Sequence, residues 1–94
     1  MPNVRNVESK YTINFKDTAI VVYHADCKQG HSRHDHVYPH VTFCTAGRAI
    51  VRKEGFETVI DKNSPPILIK ELEWHEVEAI EDGTVLINVH TALG

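Results

Sequence analysis

His34-Asp35-His36-Val37-Tyr38-Pro39-His40-Val41-Thr42-Phe43-Cys44-Thr45-Ala46-Gly47 is the stretch on which the reading of this chain turns. A strand points successive side chains to opposite faces, so His34 and His36 look the same way, and His40 keeps that parity if no bulge intervenes. The run is read as part of a strand near 37–45. A fourth histidine, His75, opens His-Glu-Val-Glu-Ala-Ile, where His75, Val77 and Ala79 share one face and Glu76 and Glu78 the other. Such a strand can deliver a further imidazole across a barrel. Neutral imidazole suits borderline divalent ions, and the chain has no Cys-x-x-Cys pair to build a thiolate zinc site. An HxH pattern also arises among surface histidines, so spacing alone leaves a shared metal site and chance clustering both open. His24, His31 and His90 read as solvent-facing or hydrogen-bonded residues, not ligands.

Outward from this stretch the pattern is all-β. Short segments rich in Val, Ile, Thr and aromatics recur between Gly, Pro, Asn and Asp breakers, and nothing sustains a helical period over several turns. Strands are expected near 11–15, 19–24, 37–45, 48–53, 56–60, 67–69, 75–80 and 84–91. Ala46-Gly47, Glu54-Gly55 and Glu81-Asp82-Gly83 supply reversals, and Asp61-Lys62-Asn63-Ser64-Pro65-Pro66 is a stiff polar connection. Residues 25–33 read as an irregular loop entering the histidine run, of the kind that frames a site mouth. About eight short strands imply a sandwich or a closed barrel. The first ten residues read as an arm, or as a strand lent to a neighbouring subunit.

The 94 residues suffice for a single domain with one modest core. Ten Lys and Arg against 13 Asp and Glu give a formal charge of -3, with no basic cluster beyond Arg52-Lys53, which argues against nucleic acid as a partner. No apolar run reaches the length of a membrane span, and Met1–Asn6 lacks the apolar centre of a signal peptide, so a soluble cytoplasmic protein is expected. Cys27 and Cys44 then read as free thiols rather than a disulfide. Cys44 shares parity with His40 and Thr42 and is expected to line the same interior.

From His34 to Gly47 the sequence resembles the cupin superfamily, whose first motif runs HxH, a short spacer, an acidic residue, six residues and Gly. Here His34-x-His36, three residues, His40, six residues and Gly47 reproduce that spacing, and His75 in Leu-Glu-Trp-His-Glu-Val matches the histidine of the second motif. The resemblance runs from about Tyr11 to His90 and implies a single-domain antiparallel jelly-roll barrel. It also implies a metal site of His34, His36, His40 and His75 opening into the barrel, one divalent transition ion per chain (Fe, Mn, Ni, Co or Zn), and a homodimer. Two departures stand out. His40 replaces the usual acidic ligand, and the Pro-x-Gly and Asn elements that normally surround the last histidine are absent.

Exchanging a carboxylate for an imidazole leaves the ion its full double charge. At about 4 Å one unit of charge is worth roughly 4 kcal/mol at an effective dielectric of about 20, before desolvation, so an enolate or carboxylate guest is favoured. Four nitrogens close the shell of tetrahedral zinc but leave two positions on a six-coordinate ion. Strand parity puts Val77, Ile87 and Val89 either on a candidate apolar wall or in the ordinary core, with Tyr38 and Cys44 facing the same interior and His31 at its mouth as a solvated loop histidine or, alternatively, a proton shuttle. Three functions remain in contention. They are a metal-dependent dioxygenase or related oxidoreductase on a small organic anion, a metal-assisted isomerase or lyase on a sugar acid, and a non-catalytic ligand-binding or sensing module.

Overall fold

In the computed structural model, described over residues 4–91, alternation of buried and exposed side chains sets both the strands and the face each one presents. Ten strands form: β1 (Arg5–Asn6), β2 (Tyr11–Phe15), β3 (Thr18–Ala25), β4 (Gln29–His34), β5 (His40–Ala46), β6 (Ala49–Lys53), β7 (Phe56–Ile60), β8 (Ile67–Ile69), β9 (His75–Ala79) and β10 (Thr84–Thr91). They make two five-stranded sheets, ordered β1-β4-β9-β6-β7 and β2-β3-β10-β5-β8. Every pairing is antiparallel except β1 with β4. Among the described residues there is no helix, and none therefore long and apolar enough to cross a membrane.

In the first sheet, β9 turns His75, Val77 and Ala79 inward and holds Glu76 and Glu78 outward, where both accept from Arg52 Nη1 at 2.7 and 2.9 Å. Register carries that inward face across to β6, with Ala49 opposite Ala79 and Val51 opposite Val77. In the second sheet, β5 buries His40, Thr42 and Cys44, and β10 sets Asn88 beside Thr42 and Leu86 beside Cys44. The inner faces meet in a core of Cys44, Ala49, Val51, Ile60, Ile69, Val77 and Leu86. Full burial of each larger aliphatic among them contributes about 1.5–3 kcal/mol. The histidines lie beyond this apolar plug, which is therefore the floor beneath them.

Two segments differ from the sequence reading. Residues 29–34, expected in the irregular entry loop, form β4, and the strand expected over 37–45 begins only at His40. His34 thus closes β4, His36 sits in the connection, and His40 opens β5, so the three come together by convergence of two sheets instead of by parity along one strand. The N-terminal residues also behave otherwise than as a free or lent arm. Arg5 and Asn6 pair in parallel with Gln29 and Gly30 of the same chain, and Val4 is buried; residues 1–3 lie outside the described residues.

Gly30 is required where it stands. Its φ of 152° belongs to the glycine-favoured region, and a Cβ there would overlap the backbone carbonyl of Val77 on the strand that carries His75. Gly47 turns β5 into β6 at φ 71°, against Thr84. Close backbone approach at Gly30 brings β4 and β9 together, with His34 paired opposite His75 after a register shift between His31 and His34.

Candidate metal centre

The donor atoms of His34, His36 and His75 lie within 4.8 Å of one another, a grouping able to hold a metal ion. His75 is 1 % exposed and His40 4 %, whereas His36 is half-buried and His34 exposed, so the cluster runs from the barrel interior to its mouth. His36 neighbours all three other rings, with centroids 5.4 Å from His34 and 4.9 Å from both His40 and His75. So does His75, at 4.3 Å from His34 and 5.3 Å from His40. His34 and His40 consequently flank a central pair.

What qualifies these rings as ligands is the use of their second nitrogens. His34 Nδ1 lies 2.7 Å from the Ser32 carbonyl, His36 Nδ1 2.7 Å from the Tyr38 carbonyl and His75 Nδ1 2.9 Å from the Glu73 carbonyl. A carbonyl only accepts, so each Nδ1 carries the proton, and each Nε2 is left with a lone pair. His40 reaches the same state by another route. The Thr42 hydroxyl donates to Asn88 Oδ1 at 2.8 Å and so accepts from His40 Nδ1 at 3.0 Å. Four imidazoles are thus held in one tautomer by outer partners, the arrangement that orients metal-bound histidines.

Burial, and then the neighbouring imidazoles His75 and His36, push His40 down to about 3. His31 is pushed down to about 4 by burial first and then by His34, His75 and His36, and His75 is lowered by burial and by its neighbours His34 and His36. These three are neutral near pH 7, the protonation state a metal requires. Only imidazoles make up the metal-competent group of the described residues, so the donor set is nitrogen-only, with no carboxylate in it.

The loops that frame the mouth lock to each other. The Leu72 N–H donates to the His36 carbonyl at 2.7 Å, with Leu72 itself at φ 59°. The Glu73 carboxylate accepts from the Lys70 N–H at 2.9 Å and from Lys53 Nζ at 3.4 Å, and the same residue's carbonyl holds His75. These contacts hold the Glu73 carboxyl below its ordinary range, the Lys70 N–H foremost. Tyr38 stacks on His36 with centroids 4.1 Å apart and planes 5° from parallel, and its further ring neighbours are His90 at 4.8 Å and His40 at 6.2 Å. Trp74 lies under the Arg33 guanidinium at 3.8 Å, on the rim.

The remaining candidates separate. Tyr38, exposed in the connection that precedes β5, stands beside the cluster. His31 is half-buried inside β4, edge-on to Tyr23 at 4.4 Å and 6.2 Å from His34, with its Nε2 buried and unpartnered. It belongs to the lumen wall, not to the solvated mouth that a shuttle occupies. Val77 and Cys44 do face inward, but both are in the apolar core, and the Cys44 thiol donates to the Ala46 carbonyl at 3.0 Å. Cys27 is exposed and Cys44 buried, both free. Ile87 and Val89 are corrections: Asn88 shares the inner face with Thr42, so its neighbours point to the far side of the sheet, away from His40. The inner positions of β10 near the site are Asn88 and His90.

Thr42, Asn88 and Tyr23 went unread as site residues. Burial raises the Tyr23 phenol, and the nearby Tyr38 adds to this while a hydrogen bond with the Asn88 side chain opposes it. The available signal was Asn88, a polar residue interrupting the apolar run Val85–Val89 of β10. Two open hollows elsewhere, one lined by residues including Arg48, Asp61, Lys62 and Glu81 and one by Pro39, Leu68, Lys70 and Glu71, contain no histidine.

No protein-family model and no curated protein sequence matches the chain. Solved structures do. KdgF from Halomonas sp. superposes with a TM-score of 0.75 at 16% identity, over 87% of this chain and 76% of that one. A cupin-2 domain containing protein from Shewanella frigidimarina gives 0.71 at 9% identity, over 90% and 83%. An RmlC-like cupin from the same organism gives 0.69 at 16%, over 87% and 73%. At such identities the likeness is one of fold, and the fold is the small cupin barrel that the motif spacing implied.

Proposed function

We propose that this chain is a metal-dependent oxidoreductase of the dioxygenase type, acting on a small organic anion at an ion held by His34, His36, His40 and His75. The observation that carries the reading is the common tautomer of the four rings, each with Nδ1 occupied and Nε2 free. A structural histidine has no need of that uniformity. A divalent ion there would supply Lewis acidity and, where iron or manganese, electron-transfer capacity.

The chain's own residues define what can bind. Four neutral ligands cancel none of the ion's charge, which favours an anionic head group over a neutral one. The exposed His34 and half-buried His36 put the open side of the cluster toward the mouth, between the loops carrying Tyr38 and Leu72. Beneath, the buried core of Val77, Val51 and Leu86 gives the site an apolar floor. His31 and Tyr23 give the wall polar edges that stay neutral near pH 7, suited to a hydroxyl or carbonyl on the guest.

Protein loaded anaerobically with ferrous or manganous ion, then exposed to oxygen with small diketones, enediols and phenols, is expected to consume oxygen with at least one of them. No turnover with any metal across that panel would overturn the oxidative reading. Turnover that persists under strict anaerobiosis would assign an isomerase or lyase instead. A tetrahedral ion with no exchangeable water would assign a binding module.

A further inference from the structure

A line of polar side chains crosses the inner face of the second sheet, starting at His40. Thr42 on β5 pairs with Asn88 on β10, and Leu86, next to Asn88 on the same face of β10, pairs with Tyr23 on β3. Residues paired across antiparallel strands share a face, so Thr42, Asn88 and Tyr23 are neighbours on the inner one. From the other sheet, His31 meets the Tyr23 ring edge-on at 4.4 Å and lies 6.2 Å from His34. Tyr23 packs against the apolar core, and burial, then the nearby Tyr38, hold its phenol above its ordinary range, so it keeps its proton. The hydrogen bonds along the line run one way. With His40 Nε2 turned to the ion, Nδ1 donates to the Thr42 hydroxyl at 3.0 Å, and Thr42 donates to Asn88 Oδ1 at 2.8 Å. The Asn88 amide therefore has its NH2 left for Tyr23, and it donates to the phenol oxygen. Asn88 is the one side-chain partner of that phenol among the described residues, and the His31 Nε2 is buried without a partner, so neither takes the phenol proton.

We infer that the Tyr23 hydroxyl is a specificity-determining donor for the guest, and that the guest is an oxo acid, with its carboxylate at the ion and a further carbonyl oxygen accepting from Tyr23. The inference deepens the reading of the cluster as a metal centre for a small organic anion and rests on it, because the ion sets the His40 tautomer from which the direction of the line follows. A carbonyl or enolate oxygen only accepts, and so complements a hydroxyl whose own acceptor side is occupied by Asn88. A carboxylate with a plain hydrocarbon tail leaves the phenol proton unpaired against an apolar group, a cost that separates the two kinds of guest. Thr42 is 1 % exposed, so solvent does not compete for the middle of the line, and the aim of the Tyr23 hydroxyl is set before any guest arrives.

Equilibrium binding to the cobalt-loaded full chain, followed by the visible absorption of the ion, tests this. The probes are acetoacetate and its methylidene analogue, in which =CH2 replaces the oxo oxygen at the same charge. Wild type is expected to prefer acetoacetate, and Tyr23→Phe to lower the ratio of the two affinities about three- to tenfold, the worth of one net hydrogen bond. Asn88→Asp keeps the phenol but sets a carboxylate beside it that only accepts, which draws the O–H away from the guest. The ratio is expected to fall there as in Tyr23→Phe, each variant keeping the far-ultraviolet circular dichroism of wild type. No preference in wild type, or an unchanged ratio in folded Tyr23→Phe or Asn88→Asp, would overturn the inference and leave the metal-centred reading standing. A chain that takes up no cobalt, or whose cobalt responds to neither probe, would overturn that reading and the inference with it.

Discussion

Replacing Thr42 by valine removes one hydroxyl from a buried relay while keeping the side chain's shape. Thr42 is 1 % exposed, so nothing from solvent replaces the lost group. His40 Nδ1–H loses its acceptor at 3.0 Å and Asn88 Oδ1 its donor at 2.8 Å. Each orphaned group costs about 1–3 kcal/mol if it stays buried and unpaired. Part of that cost disappears if His40 turns or changes tautomer, and either response withdraws its Nε2 from the ion. Loss of such an outer partner costs metal affinity about 10–100-fold, equivalent to roughly 1.4–2.7 kcal/mol. Competition for cobalt or zinc against a calibrated chelator, on wild type, Thr42→Val and Thr42→Ser, measures this. Serine keeps the hydroxyl and is expected to restore affinity to near the wild-type value. If Thr42→Val loses folding stability yet binds the ion as tightly as wild type, His40 is not a ligand held by this relay and the reasoning fails.

Further outcomes follow from the same geometry. In the metal-free protein, His31 and His40 sit below the unfolded value of 6.5, at about 4 and about 3, so the unfolded chain binds more protons across that window. Their contribution is complete above about pH 6.5 and erodes as pH falls toward those lower values. At pH 5, His31 alone is expected to cost about 1–2 kcal/mol after allowance for its partial exposure, visible as a lower urea midpoint than at pH 7.5 and reduced in His31→Gln. Gly30→Ala sets a Cβ against the Val77 carbonyl. A destabilisation of at least about 1–3 kcal/mol by urea unfolding is expected, because β4 and β9 cannot separate without parting His34 from His75. A neutral result would mean that the close approach is not needed.

How much of this was legible in the sequence follows from where alternation carries information. β2, β7, β8 and β10 were readable to the residue because each is a run of β-branched or aromatic residues between strong turn signals. β4 was not. Gln29-Gly30-His31-Ser32-Arg33-His34 lines a polar lumen and a site, so it has no apolar face to betray a strand. The error about Ile87 and Val89 has the opposite origin. β10 carries Val85, Ile87 and Val89 on its outer side and Thr84, Leu86, Asn88 and His90 on its inner side, so the more apolar parity is the outer one and hydropathy assigns it inward. His34, His36 and His75 gather their donor atoms into one group, with the His40 ring beside His36 and His75, by convergence of β4, its connection, β5 and β9 and not by the strand parity offered for them. Their shared tautomer depends on backbone carbonyls and on Asn88, 46 residues beyond Thr42. No local pattern reports that.

The most direct test is the metal content of protein purified without added salts, wild type beside His75→Ala and His40→Ala, together with X-ray absorption of the bound ion. The account predicts one divalent ion per wild-type chain in a shell of imidazole nitrogens, and its loss or a marked fall in occupancy in either variant. A wild-type chain that retains no ion from any first-row divalent metal offered, or variants that hold it undiminished, would contradict it.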